Sequence, residues 1–293
     1  MGQQHANAKR KNGSRIALII VVVVVVAALV AGWGLFSSKK DDNVTVVTAG
    51  IVSEADTAIW DTVNQVLAKE GKNIKVKTKT FQGGSGQANQ AVDNGDLDFN
   101  AFQNKNFLKT QIASQGYKLA AIGDIYISKY NVYSKKYNSV NDLPDGAKIA
   151  IPNNPANAGR AYDVLARAGL ITVSTKSGEL YPTKDDVTGN PKHLDIEEVD
   201  PNEIPNLLED YDAGITNAYA IIDHGMDPDE DSIYAPKLEI TGRDSQWVNV
   251  FVVRQSDKNN KIYQEVLKAY QSKEVAQTIR NRFKGAYVVA FNY

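Results

Sequence analysis

The sequence predicts an α/β protein built as two lobes and preceded by a membrane-spanning helix. Three observations predict this architecture. An uncharged apolar run covers residues 16–36, strand-like and helix-like patterns alternate from residue 44 onward, and the segment 135–234 contains a complete α/β set of its own. Alternating strands and helices are typical of largely parallel sheets. A chain that enters a second such set and then returns is expected to form two lobes.

The apolar run is the first element of the chain. About 20 helical residues cross the roughly 30 Å hydrocarbon core of a bilayer, and residues 16–36 have that length without one charge. Helix is the expected state of the valine-rich run, because a chain in lipid must satisfy its backbone hydrogen bonds internally. Residues 1–15 carry basic side chains and no acid, which predicts a cytoplasmic N-terminus.

A cleaved signal peptide is the alternative for this run. Its apolar region is typically about 7–15 residues long and ends at an A-x-A-like site. Here the run is longer and continues into SSKKDDN without such a site. We therefore expect an uncleaved single-pass anchor at 16–36, a cytoplasmic tail at 1–15, a polar linker at 37–43, and an extracellular body at 44–293.

Composition excludes several classes of function. Without residues 1–15, the chain has 29 basic and 34 acidic residues, so the body is mildly acidic and is not expected to bind nucleic acid. The chain contains no cysteine. That excludes disulfides, Cys-ligated zinc, iron–sulfur clusters, thiol catalysis and a lipid-modified cysteine as the anchor.

In the body, strand and helix patterns follow each other in order. The predicted strands are 44–47, 74–78, 97–102, 147–152, 194–199, 213–220 and 247–254. The predicted helices are a short one at 87–92 and four with apolar faces, which contain Ile59, Val63, Val66 and Leu67; Ala161, Val164, Leu165 and Ala168; Ile262, Val266 and Tyr270; and Val275, Ile279 and Phe283. The first lobe is predicted to comprise 44–134 and 235–293, and the second 135–234.

Ligands of open α/β sheets bind outside the carboxyl ends of the strands, and clefts between lobes are favoured pockets. His5, His193 and His224 share no metal-ligand spacing, so no bound metal or cofactor is expected. The glycine-rich turn Gly83–Gly86 lacks the residues of a P-loop or a dinucleotide fingerprint. Two roles are expected for it. It makes a tight turn only, or it makes the turn and also contacts an anionic ligand through backbone N–H groups.

The segment Ile151–Tyr162, IPNNPANAGRAY, is more informative. A strand ends, Pro155 stiffens a turn, and an Asn-rich stretch caps a helix that is expected to carry Arg160 in its first turn. A guanidinium there is unfavourable beside the helix dipole, but it can bind a carboxylate with two hydrogen bonds. An ordinary ion pair with an acid of this chain is an equally valid interpretation.

Four stretches together carry a family resemblance: GDLDFNAFQ (Gly95–Gln103), IAIPNNPANAGRA (Ile149–Ala161), DAGITNAYA (Asp212–Ala220) and SQWVNVFVVR (Ser245–Arg254). In this order and spacing, the body from Val44 to Tyr293 resembles the NlpA-type methionine-binding proteins of bacterial ABC importers. The resemblance implies a two-lobed periplasmic-binding-protein fold of type II, which closes on its ligand.

The resemblance also implies site residues. The arginine of the family's N-x-G-R motif, here Arg160, holds the ligand carboxylate, and Asn157 belongs to the same motif. Asn217 and Asn249 match polar contacts to the ligand. The family pattern F-Q-H-x-P-Y-L reads FQNKNFL here, so Asn104 replaces the histidine and Phe107 the tyrosine. Phe102 and Phe107 are expected to form an apolar wall.

These departures concern the side-chain pocket more than the head-group contacts. We therefore expect an extracellular solute-binding protein for methionine or a closely related amino acid, with an ABC permease and its ATPase as partners and no reaction of its own. A short methionine-containing peptide as ligand, or a surface sensor or adhesin ectodomain, are the alternatives. An enzyme on the same scaffold is disfavoured because no nucleophile–base pair or metal set is visible.

Overall fold

The computed structural model describes residues 44–81, 85–174 and 181–293, and residues from Thr45 to Tyr293 form one compact unit. The predicted tail, anchor and linker, and residues 83 and 84 of the glycine-rich turn, lie outside the described ranges. Within those ranges, the helices are all too short or too polar to cross a membrane.

The first sheet has five strands in the order β2-β1-β3-β13-β4. β1 is parallel to β2 and β3, whereas β13 is antiparallel to β3 and β4. Because β1 and β3 run in the same direction, their carboxyl ends meet at one edge of the sheet. The strands are β1 (Thr45–Ile51), β2 (Ile74–Thr80), β3 (Phe99–Asn104), β4 (Leu119–Asp124) and β13 (Asn249–Arg254).

Five helices cover this first sheet. The core between them contains the indole of Trp60, which lies 5.3 Å from the ring of Tyr270 and 5.7 Å from that of Phe99. Aromatic side chains bury the largest apolar areas, so this cluster stabilises the first lobe. The helices are α1 (Thr57–Lys69), α2 (Ser85–Asn94), α3 (Lys105–Gln115), α7 (Lys261–Tyr270) and α8 (Lys273–Phe283).

The second sheet also has five strands, in the order β10-β7-β11-β6-β12. β7 is parallel to β10 and β11, and β6 is antiparallel to β11 and β12. Its apolar residues form a separate buried cluster with those of α4. The strands are β6 (Val132–Tyr133), β7 (Lys148–Pro152), β10 (Asp195–Val199), β11 (Ala213–Ile215) and β12 (Ser232–Tyr234), and the helices are α4 (Pro155–Arg167), α5 (Ile204–Leu207) and α6 (Ala218–Asp223).

Two short antiparallel pairs complete the fold. β5 (Tyr126–Ser128) pairs with β14 (Tyr287–Val289), and β8 (Thr172–Val173) pairs with β9 (Val187–Gly189). In the chain, β5 lies between β4 of the first sheet and β6 of the second. The pair β5–β14 therefore stands where the chain passes from one lobe to the other, which places its side chains next to both.

The two-lobed α/β prediction is confirmed, because two separate sheets each have their own buried core. Both sheets are mixed, whereas largely parallel sheets were expected. The predicted strand 213–220 is wrong in its second half, since β11 ends at Ile215 and α6 begins at Ala218. Asn217 has an extended backbone and starts that helix. An apolar run of this length does not distinguish a short buried strand from a strand followed by a helix turn.

Candidate functional site

A cavity lies between the two lobes, where the carboxyl ends of strands from both sheets meet. About 420 Å³ of empty space lies within it, open solvent included. Phe102 and Asn104 reach it from the end of β3, and Asn249 from the start of β13. Asn157 reaches it from α4 and Asn217 from the connection between β11 and α6.

Six of the seven site residues expected from the sequence line this cavity, and Arg160 lies behind the lining. The six are Phe102, Asn104, Phe107, Asn157, Asn217 and Asn249. Six further lining residues were not expected from the sequence: Val52, Gln103, Tyr126, Ser128, Tyr219 and Tyr287. All twelve side chains are uncharged, so the lining offers amides, hydroxyls and aromatic rings to a ligand.

Asn104 connects the two lobes across the cavity. Its side-chain nitrogen donates to the side-chain oxygen of Asn157 at 3.3 Å. Its side-chain oxygen accepts from the backbone nitrogen of Phe107 at 2.8 Å, which caps α3. The asparagine in this position therefore holds the helix start and also faces the other lobe.

The capping role of Asn104 predicts different effects for two substitutions. Asn104→Ser keeps a side-chain acceptor for the cap, and Asn104→Ala removes it, while both remove the contact with Asn157. We expect Asn104→Ala to be less stable than Asn104→Ser by about 1 kcal/mol. Urea unfolding of both variants and the wild type measures this difference. Equal stability of the two variants would show that the cap is not what Asn104 contributes.

The tyrosines of the lining come from distant parts of the chain. Tyr126 on β5 and Tyr287 on β14 stack with their ring centroids 4.2 Å apart and their planes 10° apart. The Tyr126 side chain also interacts with Asn249. Neither tyrosine belongs to a sequence motif. They meet because two short strands about 160 positions apart in the chain pair with each other, and a single sequence does not reveal such a pairing.

Arg160 lies one carbonyl group away from the cavity. Its side chain is 4% exposed, and a terminal guanidinium nitrogen donates to the backbone oxygen of Ser128 at 2.7 Å. The guanidinium carbon lies 4.5 Å from the ring centroid of Tyr130 and 5.6 Å from that of Trp247. Such stacking stabilises a buried cation, and it orients Arg160 towards the strand that carries Ser128.

The acids nearest to Arg160 are bound to other cations. Asp244 pairs with Arg167 at 2.9 Å, and Asp163 pairs with Arg243 and, at 3.6 Å, with Arg167. Within the ranges that the structure describes, no carboxylate forms an ion pair with Arg160. Burial lowers the pKa of Arg160 to about 10, so the guanidinium stays charged at neutral pH. The ordinary ion pair considered from the sequence is absent from this part of the chain.

The sequence placed Arg160 in the first turn of its helix, and the structure corrects this. α4 begins at Pro155, with Asn154 as its cap through the backbone nitrogen of Asn157 at 3.1 Å. Arg160 therefore lies in the second turn, where the effect of the helix dipole has largely fallen off. The unfavourable dipole argument no longer applies. The argument for an anionic ligand now depends on a different observation, which is that no carboxylate among the described residues pairs with Arg160.

Gly159 explains the spacing of the N-x-G-R motif. A Cβ atom at this position would lie 2.6 Å from the ring of Tyr181 and 2.7 Å from the backbone oxygen of Pro182. A backbone oxygen cannot give way as a side chain can. The glycine therefore lets α4 approach the segment at Tyr181 and keeps Asn157 and Arg160 in place.

We expect Gly159→Ala to destabilise the protein by about 1–3 kcal/mol, because overpacking forces backbone shifts. Gly86→Ala is the matched control, since among the described residues a Cβ there would meet only the side-chain oxygen of Gln111 at 3.4 Å. In a helix, that change is expected to be neutral or stabilising by about 0.5–1 kcal/mol. Chemical unfolding of both variants measures the contrast, and similar stability of the two would contradict it.

Comparisons with known proteins identify the family of this chain. Residues 47–291 match the family model described as NlpA lipoprotein. The D-methionine-binding lipoprotein MetQ of Salmonella typhimurium is 35% identical over 262 residues, which cover 88% of this chain and 92% of that protein. Lipoprotein 28 of Escherichia coli K12 is 36% identical over 244 residues, which cover 83% of this chain and 87% of that protein.

A solved structure gives the same result for the fold. It is that of a nutrient binding protein from Burkholderia cenocepacia bound to methionine, which is 37% identical in sequence. The match has a TM-score of 0.75 and covers 85% of this chain and 100% of that chain.

Proposed function

This chain belongs to the NlpA lipoprotein family, and from that premise we propose that it captures methionine or a closely related amino acid as the solute-binding component of an ABC importer. The observation that carries the proposal is the cavity between the lobes, where uncharged amides and hydroxyls surround the space and where Arg160, a buried cation without a carboxylate partner among the described residues, contacts the backbone oxygen of Ser128. Such a site suits a zwitterion with an apolar side chain.

We propose the following roles for the site residues. Arg160 attracts the ligand carboxylate, because its guanidinium is charged, buried and one carbonyl group away from the lining. Asn157, Asn217 and Asn249 supply amide contacts to the head group. The Asn217 side chain does not cap the helix that it starts, and it interacts with the side chain of Tyr219, which also lines the cavity. The aromatic side chains of Phe102 and Phe107 form the wall for an apolar side chain, with Asn104 next to them.

We propose that the body works at the outer face of the cell membrane, next to a permease and its ATPase. The relatives named above are lipoproteins, whereas this chain has no cysteine. The uncharged run at 16–36 supports a single-pass anchor in place of a lipid, with 1–15 in the cytoplasm and 37–43 as linker. The proposed lobes are about 44–134 with 235–293, and about 135–234, with the first boundary moved back to include β6 (Val132–Tyr133), which belongs to the second sheet. Binding without a reaction is proposed, and turnover assays with amino acids and their esters test that part.

A ligand screen tests the function. The full chain in detergent is heated in the presence of each amino acid and of methionine-containing dipeptides, and complexes are confirmed by native mass spectrometry. At a ligand concentration of about 100 times Kd, binding stabilises the folded state by about 2.7 kcal/mol. We expect the largest rise in melting temperature with methionine. A larger rise with dipeptides, or none with any amino acid, would contradict the proposal.

A further inference from the structure

Asp56 is a buried carboxyl group that forms no ion pair among the described residues. It lies at the start of α1, directly after the turn that follows β1, and is 3% exposed. Neither of its carboxylate oxygens has a hydrogen-bond partner of ordinary geometry, and the side-chain interaction that it does make is with the hydroxyl of Tyr287. It stands at the cap position of α1 but makes no capping bond, and Ser53 caps the preceding turn through the nitrogen of Ala55 at 3.1 Å. An unpaired buried carboxyl is costly, so its retention needs an explanation.

The groups around Asp56 connect it to the cavity. Tyr287 lies next to the carboxyl, and Tyr287 stacks on Tyr126. Both tyrosines line the cavity, and Tyr126 interacts with Asn249. The titratable groups that interact with Asp56 are Tyr126 on β5, Tyr219 and Asp223 on α6, Tyr270 on α7 and Tyr287 on β14. Within the described residues, this set contains no cation that could balance the charge of Asp56.

The buried cation of the site, Arg160, contacts the opposite end of β5. Tyr126 and Ser128 are two positions apart on β5, which places them roughly 7 Å apart on the same face of the strand. Tyr126 belongs to the group around Asp56, whereas the carbonyl oxygen of Ser128 accepts from Arg160. A carboxyl group and a guanidinium group therefore lie behind opposite ends of one short segment of the cavity wall. An α-amino acid carries both charged groups on one carbon atom, so a ligand in the space between can turn its carboxylate towards the Ser128 end and its ammonium group towards the Tyr126 end.

We propose that the ammonium group of the amino-acid ligand binds on the Tyr126–Tyr287 side of the cavity, where Asp56 supplies the balancing negative charge through the two phenol groups. This inference rests on the proposed amino-acid binding and adds to it the residue that selects for the amino group. Asp56 acts through the tyrosines, so it is a positioning residue. Arg160 and Asp56 together then fix the direction in which the zwitterion lies.

The arrangement couples binding to a proton. Burial raises the pKa of Asp56 to about 7, Tyr287 opposes this rise, and Asp223 adds to it. Below that pH the empty site holds Asp56 protonated, and an arriving ammonium group lowers its pKa, so a proton leaves to the solvent. By linkage, affinity for methionine rises as the pH increases from about 6 to about 8. A ligand without an ammonium group lacks this dependence.

The test compares two ligands on the full chain in detergent. The first is methionine, and the second is methylthiobutanoate, which is methionine without its amino group. Calorimetric titrations in two buffers of different ionisation enthalpy count the protons released. We expect the wild type to release close to one proton with methionine at pH about 6 and none at pH about 8.5. In Asp56→Asn, we expect no release, and methionine binding at pH about 8 at least about tenfold weaker.

Two controls separate the outcomes. Glu54→Gln removes an exposed carboxylate of the same turn and is expected to behave as the wild type. Asp56→Asn is expected to bind methylthiobutanoate within twofold of the wild type, which shows that the cavity is intact. A proton release that persists in Asp56→Asn belongs to a group other than Asp56.

The inference is overturned if Asp56→Asn loses affinity for both ligands equally, or if it keeps the wild-type proton release and methionine affinity. A wild type that binds methionine without releasing a proton at pH about 6 also overturns it, independently of the folding of any variant. A wild type that binds neither ligand nor any other amino acid contradicts the proposed function itself.

Discussion

Replacing Arg160 by alanine is expected to weaken methionine binding by about 2–5 kcal/mol, which is roughly 30-fold to several thousandfold in Kd. The variant leaves the ligand carboxylate without its buried cation, and desolvation of an unpaired charge dominates the cost. Lysine is not expected to restore binding, because it lacks the planar group that stacks on Tyr130 and reaches the Ser128 oxygen. Isothermal titration of methionine into the wild type, Arg160→Ala and Arg160→Lys measures the effect.

Arg167→Ala is the matched control on the same helix. Arg167 pairs with Asp244 and Asp163, away from the cavity lining, so its loss is expected to change stability and leave methionine affinity nearly unchanged. Circular dichroism confirms that each variant is folded before titration. If Arg160→Ala binds methionine as the wild type does, Arg160 has no role in the site, whatever its effect on stability.

The second large effect concerns stability and pH. Burial raises the pKa of Asp56 from 3.8 to about 7 in the folded protein. Between these two values the unfolded chain has released the proton and the folded protein still holds it, so the unfolded state binds fewer protons. Stability therefore falls as the pH rises from about 4 to about 7 and is constant above that range. The total loss attributable to Asp56 is about 4 kcal/mol.

Asp56→Asn isolates this contribution, because an amide stays neutral at every pH. We expect the variant to match the wild type near pH 4 and to exceed its stability by about 4 kcal/mol near pH 8. Urea unfolding at several pH values measures the difference, with Glu54→Gln as the exposed control. A constant difference across the pH range would mean that Asp56 does not titrate between these values in the folded protein.

Much of the fold followed from local patterns. The alternation in IKVKT (Ile74–Thr78) predicted β2, and the apolar face with Ile59, Val63, Val66 and Leu67 predicted α1, because side-chain periodicity differs between strands and helices. The same reasoning was wrong at 213–220, where the pattern of a buried strand and that of a strand followed by a helix overlap.

Part of the site followed from motifs. Asn104, Asn157, Asn217 and Asn249 were identified by resemblance, and the structure places all four around one cavity. Arg160 was identified in the same way, but its role as a carboxylate ligand stays a prediction, since its guanidinium contacts the Ser128 oxygen and lies behind the lining. The tyrosines at positions 126 and 287 could not be identified, because they meet through a strand pair that joins distant segments.

The sequence by itself determined the two α/β sets, the asparagines of the site and the glycine that precedes Arg160, since each depends on local periodicity or on residues adjacent in the chain. Only the tertiary structure decided which charges remain unpaired. Among the described residues, no carboxylate pairs with Arg160, because Asp163 and Asp244 are bound by other arginines, and no cation pairs with Asp56, because tyrosines from distant elements enclose it. Burial and pairing depend on contacts between segments far apart in the chain, and these contacts exist only after the lobes have folded.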